Sequence, residues 1–252
     1  MPGIFKAMRQ AAALARYRAV VKRFDDATAA LPCAFWWEKA PLRMELPVTA
    51  LRMQGGFTYG ADHPFVRALT DGKDALAAFY AGFAPSNLSD MYGLGDDAGG
   101  ALPPYVLPWR MVLKDRPPGG EKGLPASHGV AFYGPCSAQK IALETRRLSR
   151  VAEAIRKSGF NPDKHGDIEG HFITDGQRTC FFVMGGKHRA AVLAYLGETH
   201  IPVRLRPGRM AIMDTREVTH WPLVADGTMT AQTARAIAEV YLTGRGMSDV
   251  VG

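Results

Sequence analysis

The stretch Thr179–Val203, TCFFVMGGKHRAAVLAYLGETHIPV, constrains this chain more than any other. Its apolar start, Thr179–Met184, reads as a strand and ends at Gly185 and Gly186. Lys187, His188 and Arg189 follow and open a helical pattern that runs to Leu196 and stops at Gly197. Ile201–Leu205 then reads as a short strand. A strand that turns through paired glycines into a helix start lets the backbone approach a ligand closely. Free amides and the helix dipole favour negative charge at that point. Lys187 and Arg189 add full positive charges, and arginine can grip a phosphate through two parallel hydrogen bonds. Gly185, Gly186, Lys187, His188 and Arg189 are therefore the expected phosphate cradle.

The rest of the chain sets the context for that turn. Its 252 residues fit one large domain or two small ones. The net charge of +7 suits anionic partners such as nucleotides, phosphorylated sugars, nucleic acid or an acidic membrane. The same charge also simply aids solubility. Cys33, Cys136 and Cys180 are odd in number and far apart. They show neither a CxxC pair nor zinc-ligand spacing, so no metal site is expected. A reduced, cytoplasmic setting follows. No secretory leader pattern and no run of about 18 apolar residues is expected to direct the chain into or across a membrane.

Residues 4–30 read as a basic helix carrying Lys6, Arg9, Arg16, Arg18, Lys22 and Arg23. Such a helix can pack on the body of the protein, or lie on the inner face of an anionic membrane. Val48–Met53 reads as a strand and His63–Phe83 as a helix. Residues 84–128 are dense in Gly and Pro, which predicts irregular, surface-wrapping chain. The C-terminal half is more regular. Ser137–Ser158 reads as a helix with Ser137 as N-cap and Gly159 as its stop. Ile168–Thr174 and Thr179–Met184 read as a hairpin through Asp175–Gly176, and Thr230–Leu242 as a closing helix. The expected class is α+β. Residues 1–130 form a helical, loop-rich extension, and residues 131–252 carry the turn and the C-terminal helix.

The order helix, Gly-Phe, strand, strand, GGKHR, helix, Leu-Gly, Ile-Pro-Val resembles the ParB/sulfiredoxin superfamily. The match covers Tyr133–Pro207, about a third of the chain. The resemblance implies a nucleotide-binding domain with phosphates held by Gly185–Arg189. Sulfiredoxins carry a cysteine where this chain has Lys187, so their chemistry lacks its nucleophile here. Chromosome-partition ParB proteins follow this domain with a helix-turn-helix. The residues after Pro207 hold one clear helix, so no specific nucleic-acid binding is expected. A third branch phosphorylates free serine and is nearest in type. It carries DGHHR, where this chain has Gly185 for the Asp and Lys187 for the first His. The segments YGPCS, ALETRRL and HWPLV also resemble proteins of bacterial polysaccharide biosynthesis.

Phosphoryl transfer needs charge neutralisation, in-line positioning and a group that takes the acceptor proton. His188 can hydrogen-bond a phosphate oxygen or act as a base near neutral pH. Glu144 is the only acid in Ser137–Val151. It is the expected catalytic acid, orienting the acceptor or a metal. Arg147, three residues on along the same helical face, and His220 are expected to bind substrate. His128 and Trp36–Trp37 are weaker pocket candidates, with packing as their alternative role. The expectation is a kinase using ATP or ADP with Mg²⁺, CTP being an alternative. It acts on a small hydroxyl-bearing acceptor such as an amino acid, a sugar or a glycan precursor. The alternative from another class is a non-catalytic CTP- or ATP-binding switch or scaffold.

Overall fold

The computed structural model describes residues 22–35, 43–95, 102–110, 124–130, 132–207 and 209–251. Among them the class is α+β. A mixed sheet of seven strands comprises β1 (Lys22–Arg23), β2 (Arg43–Pro47), β3 (Leu51–Arg52), β4 (Glu169–Thr174), β5 (Thr179–Gly185), β6 (His200–Leu205) and β7 (Ile212–Asp214). The order is β1-β2-β6-β4-β5-β3. β6 pairs with the start of β4, and β7 with its end. The helices are α1 (Pro64–Thr70), α2 (Lys73–Gly82), α3 (Leu88–Tyr92), α4 (Ala138–Ser158), α5 (Pro162–His165), α6 (Lys187–Tyr195), α7 (Pro222–Ala225) and α8 (Ala231–Thr243).

The central hairpin forms as its sequence demands. Asp175 Oδ1 accepts from the amides of Gln177 and Arg178 and closes the turn between β4 and β5. Both strands are buried on both faces, which is why they read as continuous apolar runs. Phe172 and Phe181 pair edge to face on one side. His171 and Phe182 pair on the other, where Phe182 meets Tyr241 of α8. α1, α4 and α6 pack against one another. Ser137 caps α4 by accepting from the Lys140 amide, and Gly159 ends it at φ +68°.

Several boundaries differ from expectation, each for a local reason. Of the helix expected over residues 4–30, residues 4–21 lie outside the described residues, as do Trp36–Trp37. Lys22–Arg23 is a strand parallel to β2, and Thr28–Phe35 is a 3-10 helix containing Pro32. Asp26 Oδ1 accepts from the Thr28 amide and takes the chain out of helical geometry. Val48–Ala50 is a single 3-10 turn after Pro47, so only Leu51–Arg52 remains strand. The helix expected over His63–Phe83 breaks at Asp71–Gly72, where Gly72 adopts φ +88°. Within 84–128 the described chain is irregular apart from α3, capped by Asn87, and one 3-10 turn, Ala126–His128. The sheet and the core both cross the expected boundary at residue 130. β1, β2 and β3 flank the strands of the C-terminal half, and Phe57, Phe65 and Phe79 share one core with Phe172 and Phe181. Among the described residues no helix is long and apolar enough to cross a membrane.

Arg52 ties the first part of the chain to the last. Its buried guanidinium donates to the carbonyls of Thr49, Leu51, Tyr241 and Leu242. Two of those are orphan carbonyls at the end of α8, where positive charge is favoured. Arg52→Met is expected to cost about 2–4 kcal/mol in urea unfolding, because it leaves buried carbonyls unpaired. A loss below about 1 kcal/mol would show that these bonds are dispensable.

Candidate functional site

β5 delivers Gly185 and Gly186 directly to the start of α6. Gly186 adopts the left-handed conformation, φ +82° and ψ +21°, and its carbonyl accepts from the Ala190 amide. A Cβ on Gly186 would stand 3.0 Å from the Ile168 Cα, so the turn is closed to larger residues on two grounds. No side chain caps α6. Among the described residues no acceptor meets the amides of Lys187, His188 and Arg189. Three donors at the positive end of a helix dipole therefore remain available to an anion.

The side chain of His188 returns from this turn to α4. Its Nε2 lies 2.5 Å from Glu144 Oε2. Glu144 Oε1 lies 2.9 Å from the Lys140 ammonium, one helical turn back on α4. Glu144 is 0% exposed, whereas the His188 side chain keeps 24% of its surface exposed. Phe65 of α1 stacks on the imidazole at 5.1 Å and fixes its plane. Burial raises the Glu144 pKa, but the His188 hydrogen bond and the charges of His188 and Lys140 outweigh it. The carboxyl is held below its ordinary value. Glu144 is therefore an ionised carboxylate that accepts from Nε2–H. The other ring nitrogen, Nδ1, has no partner among the described residues. The expected direct contact of Glu144 with acceptor or metal is corrected here: the carboxylate is sealed from solvent and reaches the surface only through the His188 ring.

Cations surround the same corner. The Lys187 ammonium sits over the Phe132 ring at 4.7 Å. Burial, with Arg110 second, pushes its pKa down to about 8. Arg206 follows β6 directly, and its guanidinium lies 3.7 Å from where a Gly185 Cβ would be. Arg110 is half-buried, and burial lowers its pKa, with Arg206 and Arg209 adding to the effect. Among the described residues no carboxylate pairs with Lys187, Arg110 or Arg206. Arg110 and Arg206 escaped the sequence reading. Arg206 does extend the Ile-Pro-Val-Arg-Leu strand by one residue, whereas Arg110 sits in chain where only a Trp marks it.

The remaining candidates fall elsewhere. Arg189 keeps its guanidinium beside Gly186 and donates at 2.8 Å to the carbonyls of both His165 and Asp167. It thus clamps the loop between α5 and β4, which Arg43 and Arg204 also hold through Asp163, Asp167 and Glu169. Two of its guanidinium nitrogens are thus engaged, whereas its buried Nε has no partner among the described residues. Arg147 is half-buried on α4, in the turn after Glu144. His220 is 79% exposed and pairs with Glu217 on a 3-10 segment. His128 Nδ1 lies 2.8 Å from the capping hydroxyl of Ser137. Among the described residues no cluster of three or more His, Cys, Asp or Glu could hold a metal ion. A separate cleft of about 620 Å³ opens between α1 and the far end of α6, lined by Tyr59, Val66 and Tyr195, and touches none of these groups.

Comparison of the chain with protein-family models, with curated proteins and with solved structures finds no match. The site is therefore read from its own geometry.

The Glu144 carboxyl makes the folded state acid-sensitive with a defined sign. Its folded pKa lies below the unfolded value of about 4.3. The stability it contributes is full above that value and is lost as pH falls through the lower folded one. Glu144→Gln is expected to be less stable than the parent at pH 7 and to lose less on acidification below about pH 4. Parallel curves in denaturant titrations across that range would remove Glu144 from the acid transition.

Proposed function

We propose that the protein is a nucleotide-dependent phosphotransferase acting on a small hydroxyl-bearing acceptor, an amino acid, a sugar or a glycan precursor. One observation carries this reading: an uncapped helix start ringed by unpaired cations adjoins an imidazole held by a sealed carboxylate. The order α4, β4, β5, α6, β6 supports reading this part of the chain as a ParB/sulfiredoxin-like nucleotide-binding unit. The amides of Lys187, His188 and Arg189 would receive the terminal phosphates of ATP or ADP. Lys187, Arg110 and Arg206 would neutralise them. Mg²⁺ would ride on the phosphate oxygens and offset their charge.

The chemistry then runs through His188. Its Nδ1 takes the proton of the acceptor hydroxyl, and the oxygen attacks the terminal phosphorus. The bond from phosphorus to the bridging oxygen breaks, and the shortened nucleotide leaves with that electron pair. Glu144 orients the ring and stabilises the imidazolium that forms. Lys140 keeps Glu144 ionised. Glu144 is thus a positioning residue and His188 the base. The alternative, a nucleotide-binding switch, draws on the same amides and cations.

Thermal-shift and calorimetric titration with ATP, ADP, CTP and GTP in the presence of Mg²⁺ test the first step. Lys187→Met is expected to weaken the bound nucleotide at least about tenfold. Unchanged affinity would remove the cradle. Wild-type affinity is expected to fall as pH rises past about 8, where Lys187 loses its proton. Glu144→Gln is expected to retain nucleotide and lower kcat about 10²-fold or more while leaving KM little changed. It should also shift the acidic limb of the pH profile, which reports protonation of the base. Nucleotide binding without transfer to any acceptor would leave the switch reading in place.

A further inference from the structure

Trp109 and His171 carry three buried polar atoms that nothing in the protein satisfies. Trp109 Nε1 and both ring nitrogens of His171 are sealed from solvent without a hydrogen-bond partner. The two residues are 6% and 3% exposed. Their rings meet edge to face with centroids 5.9 Å apart, so the orphan atoms fall within one small volume. Buried polar groups find partners in roughly nine cases in ten, and isolated exceptions call for a reason. Three at one spot are a concentrated demand for hydrogen bonds.

The surroundings define what would meet that demand. Phe182, Trp221 and Tyr241 wall the pair with aromatic rings. The Tyr241 hydroxyl is already engaged with Tyr92 and the Gly55 amide. Arg110 follows Trp109 in the chain. Burial, with Arg110 and Arg209 adding their charge, keeps His171 neutral and pushes its pKa down to about 3. A neutral imidazole offers one N–H and one acceptor nitrogen, and the indole offers one N–H. Among the described residues no carboxylate pairs with Arg110 or Arg209. Two unpaired donors in a field of unpaired guanidinium groups suit an oxyanion. Phe182, which meets both rings, lies on β5, the strand that runs through Gly185 into the α6 turn.

We propose that Trp109, His171 and Arg110 form a second oxyanion subsite beside the α6 turn, taking the carboxylate or phosphate group of an acidic acceptor. Assigning that group to the acceptor rests on the phosphoryl-transfer reading, whereas the subsite itself does not. An acceptor held there by its acidic end would be kept apart from the nucleotide phosphates, and its specificity would come from β4 and from the chain around Trp109. The alternative occupant is an ordered internal water, which also bridges such groups.

The test uses the full chain labelled with ¹⁵N, because the indole N–H is its own reporter. The four tryptophans give four indole signals, and Trp109→Phe identifies one of them. Titration with inorganic phosphate, and separately with malonate, is expected to shift the Trp109 indole signal saturably. Phosphate acting alone marks a phosphate subsite, and malonate acting as well marks one that also takes carboxylates. The shift is expected to persist in Lys187→Met and to need about tenfold more anion in His171→Leu. A Trp109 signal unmoved by either anion overturns the subsite and points to internal water. A shift abolished by Lys187→Met overturns it too, because the anion then sits only at the turn. His171→Leu without anion is expected to raise Tm by about 2–4 °C, since it removes unpaired buried nitrogens. A lowered Tm with unchanged anion response overturns the proposal. Failure of ATP to bind while the indole still responds would sink the nucleotide reading and leave this one standing.

Discussion

The contact between Glu144 and His188 organises the helix layer around the start of α6. A carboxylate with no exposure survives in the interior only because an imidazole and an ammonium share its charge. Those partners come from different places: Lys140 from the same helix, His188 from the first turn of α6. The pairing therefore sets the rotation of α6 about its axis, and with it the direction in which the amides after Gly186 point. Phe65 completes the arrangement from a third helix. Removing one partner would leave an uncompensated buried charge, so the geometry of the turn and the stability of the helix layer rest on the same few atoms.

The fold was readable where one local signal decided the outcome. Ser137 and Gly159 bracket α4, Asp175–Gly176 closes the hairpin, and Gly185–Gly186 starts α6 at the expected residue. It was not readable where partners distant in sequence decided. Lys22–Arg23 is strand because Met44 and Glu45 lie alongside it. Asp26 redirects the chain that follows. No periodicity records either fact.

The site shows the same division. His188 and Glu144 were visible as residue types on elements that this arrangement brings together, and the structure places them in contact. Which of the two is sealed from water was not visible, because it depends on how α1, α4 and α6 pack. Arg189 misled for the opposite reason. Its motif suggests an anion, yet two carbonyls of a neighbouring loop already claim its donors. Arg110 and Arg206 have no motif at all. Arg206 comes beside Gly185 from the end of β6, which only three-dimensional placement reveals.

The N-terminal chain pairs with both flanks of the C-terminal strands: β2 lies along β6, and β3 along β5. A fragment beginning near residue 131 would leave two unsheathed backbone ladders, and such ladders recruit other chains. During synthesis the order is reversed, since the flanking strands leave the ribosome first and wait for the hairpin they will enclose. The pairing of Arg43 with Arg204 closes about two-thirds of the polypeptide into one loop. Pairings of such separation slow the search for the native state. What resembles an accessory extension thus covers both open edges of the C-terminal strands.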